Sequence, residues 1–177
     1  MGRSEPVTAA ARHSGSRGFL REGVVAGILG ATMMAVWFLL VDWAEGVPLR
    51  TPSILGSLVM TGDADIPGGH PDMTAVVVYT LIHLVVFAVT GVGAAAVARK
   101  GSRRPWLLLG LGLFLVPHAA FLLAATTIFA ETLSGSLRWW TTLLGVFWAG
   151  AVMLAYLWSR YPGLGRALTD TEVFEPR

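Results

Sequence analysis

The chain has no cysteine, few charges and no catalytic signature, and each absence removes a class of function. Without cysteine, no disulfide, thiolate nucleophile, Cys-ligated zinc or iron–sulfur cluster can form within these 177 residues. Small four-helix enzymes that make disulfides are excluded on the same ground. Charged residues are 14% of the chain against 54% apolar, which rules out an ordinary soluble domain. No Gly-rich phosphate loop, nucleophile elbow or HExxH zinc motif occurs.

What is present is four long apolar runs, at about 22–43, 73–98, 105–130 and 139–158. Each reaches the ~20 residues a helix needs to cross hydrocarbon. Of thirteen Lys and Arg, eleven lie before the first run, between the second and third, or after the fourth; only Arg50 and Arg138 fall elsewhere. Cytoplasmic loops retain positive charge, so this sorting predicts an all-α, four-span transmembrane bundle with both termini cytoplasmic. The expected setting is a cell inner membrane, with the chain multi-pass. Residues 1–20 and 161–177 read as cytoplasmic tails, the first disordered, flanking one transmembrane domain at 21–160. The net charge of +2 and pI near 9.5 do not point to nucleic acid. The basic residues cluster at span ends, where anionic headgroups account for them, so the bilayer is the partner. The uninterrupted run from Gly23 to Val41 exceeds a signal-peptide core and no Ala-x-Ala site follows it, which predicts a retained first span.

The connections differ in character. Arg99, Lys100, Arg103 and Arg104 form a tight basic turn, and Pro105 suits the first helical turn after it. The first outer connection carries Glu45, Asp63, Asp65 and Asp72 against one basic residue; the second, about 131–138, is a short turn. Trp37, Trp43, Trp139 and Trp140 mark the outer side and Trp106, Trp158 and Tyr161 the inner, as rings favouring the headgroup zone should. Within the first outer connection, Thr51 reads as an N-cap and Pro52 as a first helical residue, opening a short apolar helix to Met60. Too short to span, it is expected along the outer interface or folded back over the bundle.

Small residues in rows show where membrane helices approach closely. Gly23, Gly27 and Ala31, with Gly30 alongside, form one row; Gly91 and Ala95 form a second, and Gly145 and Ala149 a third. They serve either the bundle interior or contact with a membrane-protein partner or a second copy.

Ionisable groups inside spans mark sites. His83 and His118 fall near mid-membrane, slightly toward the outer side, on helices joined by the basic turn. Tyr79, His83, Phe87 and Thr90 follow one helical stripe, predicted to face protein. Pro117 precedes His118, and a proline there frees the carbonyl of Leu113. Two readings stand. His83 and His118 ligate a haem b or a metal ion, since imidazole is the commonest metal ligand. Alternatively each hydrogen-bonds a neighbouring helix through Tyr79, Thr90 or the freed carbonyl. A proton-relay or substrate-contact role lies between them. Asp42, Glu45 and Glu131 form an outer acidic cluster, with Asp42 and Glu45 sharing a helix face. Its plain reading is interfacial ion pairing with Arg50 and Arg138; its functional reading is a cation entrance. Asp63, Asp65, His70 and Asp72 lack the spacing of an EF-hand loop and read as a solvated acidic loop.

Span four reads Trp139-Trp140 … Tyr156-Leu157-Trp158-Ser159-Arg160-Tyr161-Pro162, and span two Tyr79-x-x-x-His83-x-x-x-Phe87-x-x-x-Gly91. With Thr51-Pro52 and Leu55-Gly56, this layout resembles small uncharacterised four-span bacterial inner-membrane proteins over most of residues 20–165. The resemblance implies a bacterial membrane location and four-helix architecture, and no activity. The leading functional expectation is a non-enzymatic accessory or interaction protein. The alternatives are an electron-transfer subunit using His83 and His118, and a small transporter or channel lined by Tyr79, His83, Thr90 and His118.

Overall fold

The computed structural model describes residues 7–63, 70–101 and 139–161, and every regular element among them is helical. The helices are α1 (Val7–Ala44), α2 (Arg50–Thr61), α3 (Met73–Gly101) and α4 (Trp139–Arg160). Three of them, α1 from Gly18 onward, α3 and α4, are long and apolar enough to cross a membrane. The predicted third span, at 105–130, lies outside the described residues, as do Glu131 and the tail beyond Tyr161. α1 reaches back to Val7, where the sequence reading places a disordered tail. Ala9, Ala10 and Ala11 have the highest helix propensity of any residue and no glycine or proline interrupts them.

α1 is the centre of the described bundle, and small residues decide how it meets its neighbours. A Cβ on Gly27 would stand 2.2 Å from the Phe87 carbonyl oxygen, and one on Gly23 would stand 2.5 Å from Cα of Val92. From the other side, a Cβ on Gly91 would meet the Gly23 carbonyl at 2.2 Å. The two backbones therefore touch, which no larger residue at these positions permits. Each step of four along α1 matches a step of four backward along α3, so the helices are antiparallel.

α4 packs on another face of α1 in the same sense. The Trp37 indole N–H donates to the Thr141 carbonyl at 2.8 Å. Met34, Phe38 and Ala149 form one buried cluster, and Ala26, Ala94, Ala95 and Leu157 another. At the far end the Tyr161 hydroxyl donates to Glu22 Oε2 at 2.6 Å. Burial first, and the Glu22 carboxylate second, push the Tyr161 phenol up to about 12. A raised phenol pKa favours the folded state while the proton is on. This tie is intact below pH 10.0 and is lost as pH rises through about 12. With α4 antiparallel to α1, α3 and α4 run parallel to each other. All three rows of small residues seen in the sequence are thus used within the chain.

α2 folds back against the first turns of α3. Ser53 is fully buried, and its hydroxyl accepts the Asp72 N–H at 2.8 Å. A Cβ on Gly56 would stand 2.0 Å from the Ala75 carbonyl oxygen. Asp72 is the N-cap of α3, accepting the Thr74 N–H at 2.8 Å. An irregular-looking acidic loop thus contains a specific helix start.

Gly27→Leu should separate α1 from α3 and lower stability by roughly 1–3 kcal/mol or more, as overpacking of a tight contact does. Gly150→Ala, with nothing within 4 Å of the added Cβ, should leave it unchanged. Thermal unfolding of the purified protein in detergent separates the two. Equal behaviour would show that the glycine contact does not hold the helices together.

Candidate functional site

At the α2 end of the bundle, Asp42 is 1% exposed and binds α2 twice. Its Oδ2 accepts the Thr51 N–H at 2.8 Å, and its Oδ1 accepts the Thr51 hydroxyl at 2.6 Å. The Thr51 N–H, in the first turn of α2, would otherwise be unpaired, and the helix dipole places partial positive charge there. Asp42 also shapes the exit from α1. Gly46, at φ 82°, donates to the Trp43 carbonyl at 2.9 Å, and Val47 donates to the Asp42 carbonyl at 3.0 Å. This pair of bonds is a Schellman motif, closed by a glycine in the left-handed region. Asp42 thus ends one helix with its backbone and starts the next with its side chain.

Two sequence expectations change here. Thr51 is not the N-cap; α2 begins at Arg50, and Leu49 caps it with φ 64° and no side-chain bond. A left-handed leucine costs about 1–2 kcal/mol, offset by the two bonds from Thr51 to Asp42. The second concerns Glu45, which lies one residue past the end of α1 at Ala44, its N–H still bonded to the Val41 carbonyl at 3.0 Å. Glu45 turns outward and pairs with Arg50 at 3.7 Å, the ion pair expected at this level. Glu131, the third acidic residue of the expected cluster, and Arg138, the other expected cation, lie outside the described residues.

His83 sits opposite Ala31, eleven residues along α1 from Asp42 and so roughly 16 Å deeper. Its Nε2 lies 3.2 Å from the Ala31 carbonyl oxygen. A carbonyl only accepts, so Nε2 carries the hydrogen and Nδ1 is the remaining nitrogen. The ring is flanked on α3 by Tyr79 and Phe87, with centroids 5.5 Å and 4.6 Å away. Of the stripe named from sequence, Tyr79, His83 and Phe87 are partly buried and Thr90 is buried, its hydroxyl bonded to the Val86 carbonyl of its own helix at 2.9 Å. His118, the second imidazole, lies outside the described residues. Among the described residues, no three of His, Asp and Glu come together as a metal site.

Between α1, α2 and α3 lies a cavity of about 310 Å³. Asp42 and Thr51 lie at its α2 end, Tyr79 and His83 on its α3 wall, and Met34 and Phe38 on its α1 wall. Its walls are otherwise almost wholly apolar. The sequence stripe pointed to His83 and Tyr79 and placed them against protein. It gave no sign that Asp42 would be turned inward or that Leu49, Thr51 and Pro52 would line the same space. No family model, curated protein or solved structure matches the chain.

Asp42→Ala should leave the Thr51 N–H and hydroxyl unpaired, at a cost of roughly 1–3 kcal/mol. Asp42→Asn should retain most of that, since the amide oxygen accepts the N–H and its NH₂ can donate to the hydroxyl. Thermal unfolding together with limited proteolysis of the 44–73 connection would report both. If Asn and Ala are equally damaging, the clamp depends on charge rather than on hydrogen-bond geometry.

Proposed function

We propose that the chain is a four-crossing integral membrane protein of the accessory or interaction kind, without a catalytic centre of its own. The observation that carries this reading is how the polar groups inside the described spans are used. Asp42 ties α1 to α2, Trp37 ties α1 to α4, and His83 Nε2 ties α3 to α1. Thr80 and Thr90 bond to their own helix. Asp42, Trp37 and His83 thus hold helices together, as polar residues between membrane helices commonly do.

The parallel course of α3 and α4 supports the fourth crossing. The chain leaves α3 at the end where Glu22 and Tyr161 meet and enters α4 at the end where α2 lies. Residues 102–138 connect these two ends, and their sequence contains the apolar run at 105–130. Arg21, Arg99 and Arg160 gather at the Tyr161 end, which supports a cytoplasmic assignment for that side in a bacterial inner membrane. α2 then lies at the opposite interface.

Reporter fusions after Arg104 and after Asp72 should report inside and outside respectively; the reverse would overturn the orientation. The purified protein in mild detergent should show no Soret band and only background metal. A Soret band abolished by His83→Ala would instead establish the electron-transfer alternative.

A further inference from the structure

We infer that the cavity between α1, α2 and α3 is a binding site for a neutral lipophile, with an apolar body and a hydroxyl oxygen at one end. Its volume of about 310 Å³ falls within the range of small-molecule sites, ~300–1,000 Å³, and its lining has the same make-up of apolar walls with a few polar groups. Two of those polar groups are unused. The Tyr79 hydroxyl has no hydrogen-bond partner among the described residues, although a buried phenol ordinarily finds one. His83 spends Nε2 on the Ala31 carbonyl and leaves Nδ1, an acceptor, without a partner among the described residues. The two rings are neighbours, with centroids 5.5 Å apart. Two neighbouring rings of the wall therefore supply one donor and one acceptor, the pair of functions that a hydroxyl group matches. Such a group accepts from Tyr79 and donates to His83.

The remaining chemistry selects against a charged occupant. Both Asp42 oxygens already accept from Thr51 at the far end of the cavity, and the carboxyl is 1% exposed. Arg50, the nearest basic residue on α2, pairs with Glu45. A charged headgroup would enter apolar walls without a counter-ion, which is costly. Access is lateral: Thr32, Val36 and Leu39 on α1 and Thr80 and Leu84 on α3 line the cavity and are exposed. A molecule dissolved in the hydrocarbon reaches the site from the side, with α2 as its roof.

The test uses the full chain in lipid nanodiscs and a photoreactive twelve-carbon alcohol, beside the matched hydrocarbon and the matched alkylammonium. The alcohol should label cavity residues saturably and be competed by 1-dodecanol; the other two should not. Tyr79→Phe should weaken saturable labelling about five- to tenfold, the loss of one hydrogen bond. Because the hydroxyl has no partner among the described residues, that variant should keep the wild-type thermal midpoint. Ala35→Trp, at an exposed cavity position, should abolish labelling by filling the space, while Val85→Trp outside the cavity should not change it. Equal labelling by the hydrocarbon, or no effect of Tyr79→Phe, would overturn the inference in favour of an ordinary lipid chain. The inference rests on the membrane placement proposed above and not on its orientation. A reversed reporter result leaves it standing, and a failed labelling leaves the topology standing.

Discussion

Between apolar helices in hydrocarbon, burying side chains gains little, because lipid tails are as apolar as leucine. Close backbone approach at small residues takes over that role, and in this protein it is concentrated where α1 crosses α3. Gly23, Gly27 and Gly91 let the two backbones touch, and that contact sets the register of everything else. It brings Ala31 opposite His83, so an imidazole finds a carbonyl. It also brings the end of α1 level with the start of α3. The connection of α2 is then short enough for one carboxyl to reach from helix to helix.

Asp42 converts that proximity into a defined structure. An apolar helix of twelve residues is too short to be stable alone. Its free N-terminal donors are a further cost wherever water is scarce. Asp42 meets both problems by accepting from Thr51, while Ser53 and Gly56 seat α2 against the first turns of α3. The consequence is a roofed, apolar space rather than an open groove. The polar groups facing it include Asp42 and Thr51, which the helix contact uses, and the Tyr79 hydroxyl, which has no partner among the described residues.

How much of this was legible beforehand depends on the range of the interaction. The small-residue rows, the apolar helices α3 and α4 and the short helix near Thr51 follow from local spacing and are found where spacing puts them, whereas α1 begins earlier, at Val7, and the apolar run at 105–130 lies outside the described residues. The stripe containing Tyr79 and His83 is similarly a property of one helix. The misreadings share a cause. Thr51 looks like an N-cap because it precedes a proline, yet its hydroxyl is bound by a residue nine positions earlier on another helix. Asp42 and Glu45 look like a pair because they are three apart, but the helix ends between them. Trp37 stands near the end of α1 read from sequence as outer, and local spacing gives no sign that its indole N–H reaches Thr141 across the bundle. In each case a polar side chain takes a partner from beyond its own helix.

Sequence alone therefore determined that the three described apolar runs are helices and which of their faces carry small residues. These properties depend on the side chains of neighbours within a turn or two. Only the tertiary structure decided that α1 is the shared partner of α3 and α4 and that α3 and α4 run parallel. It alone turned Asp42 inward to clamp α2, and it alone left Tyr79 and His83 facing a cavity. A polar group's role depends on which donor or acceptor arrives beside it, and that is settled only when the helices meet.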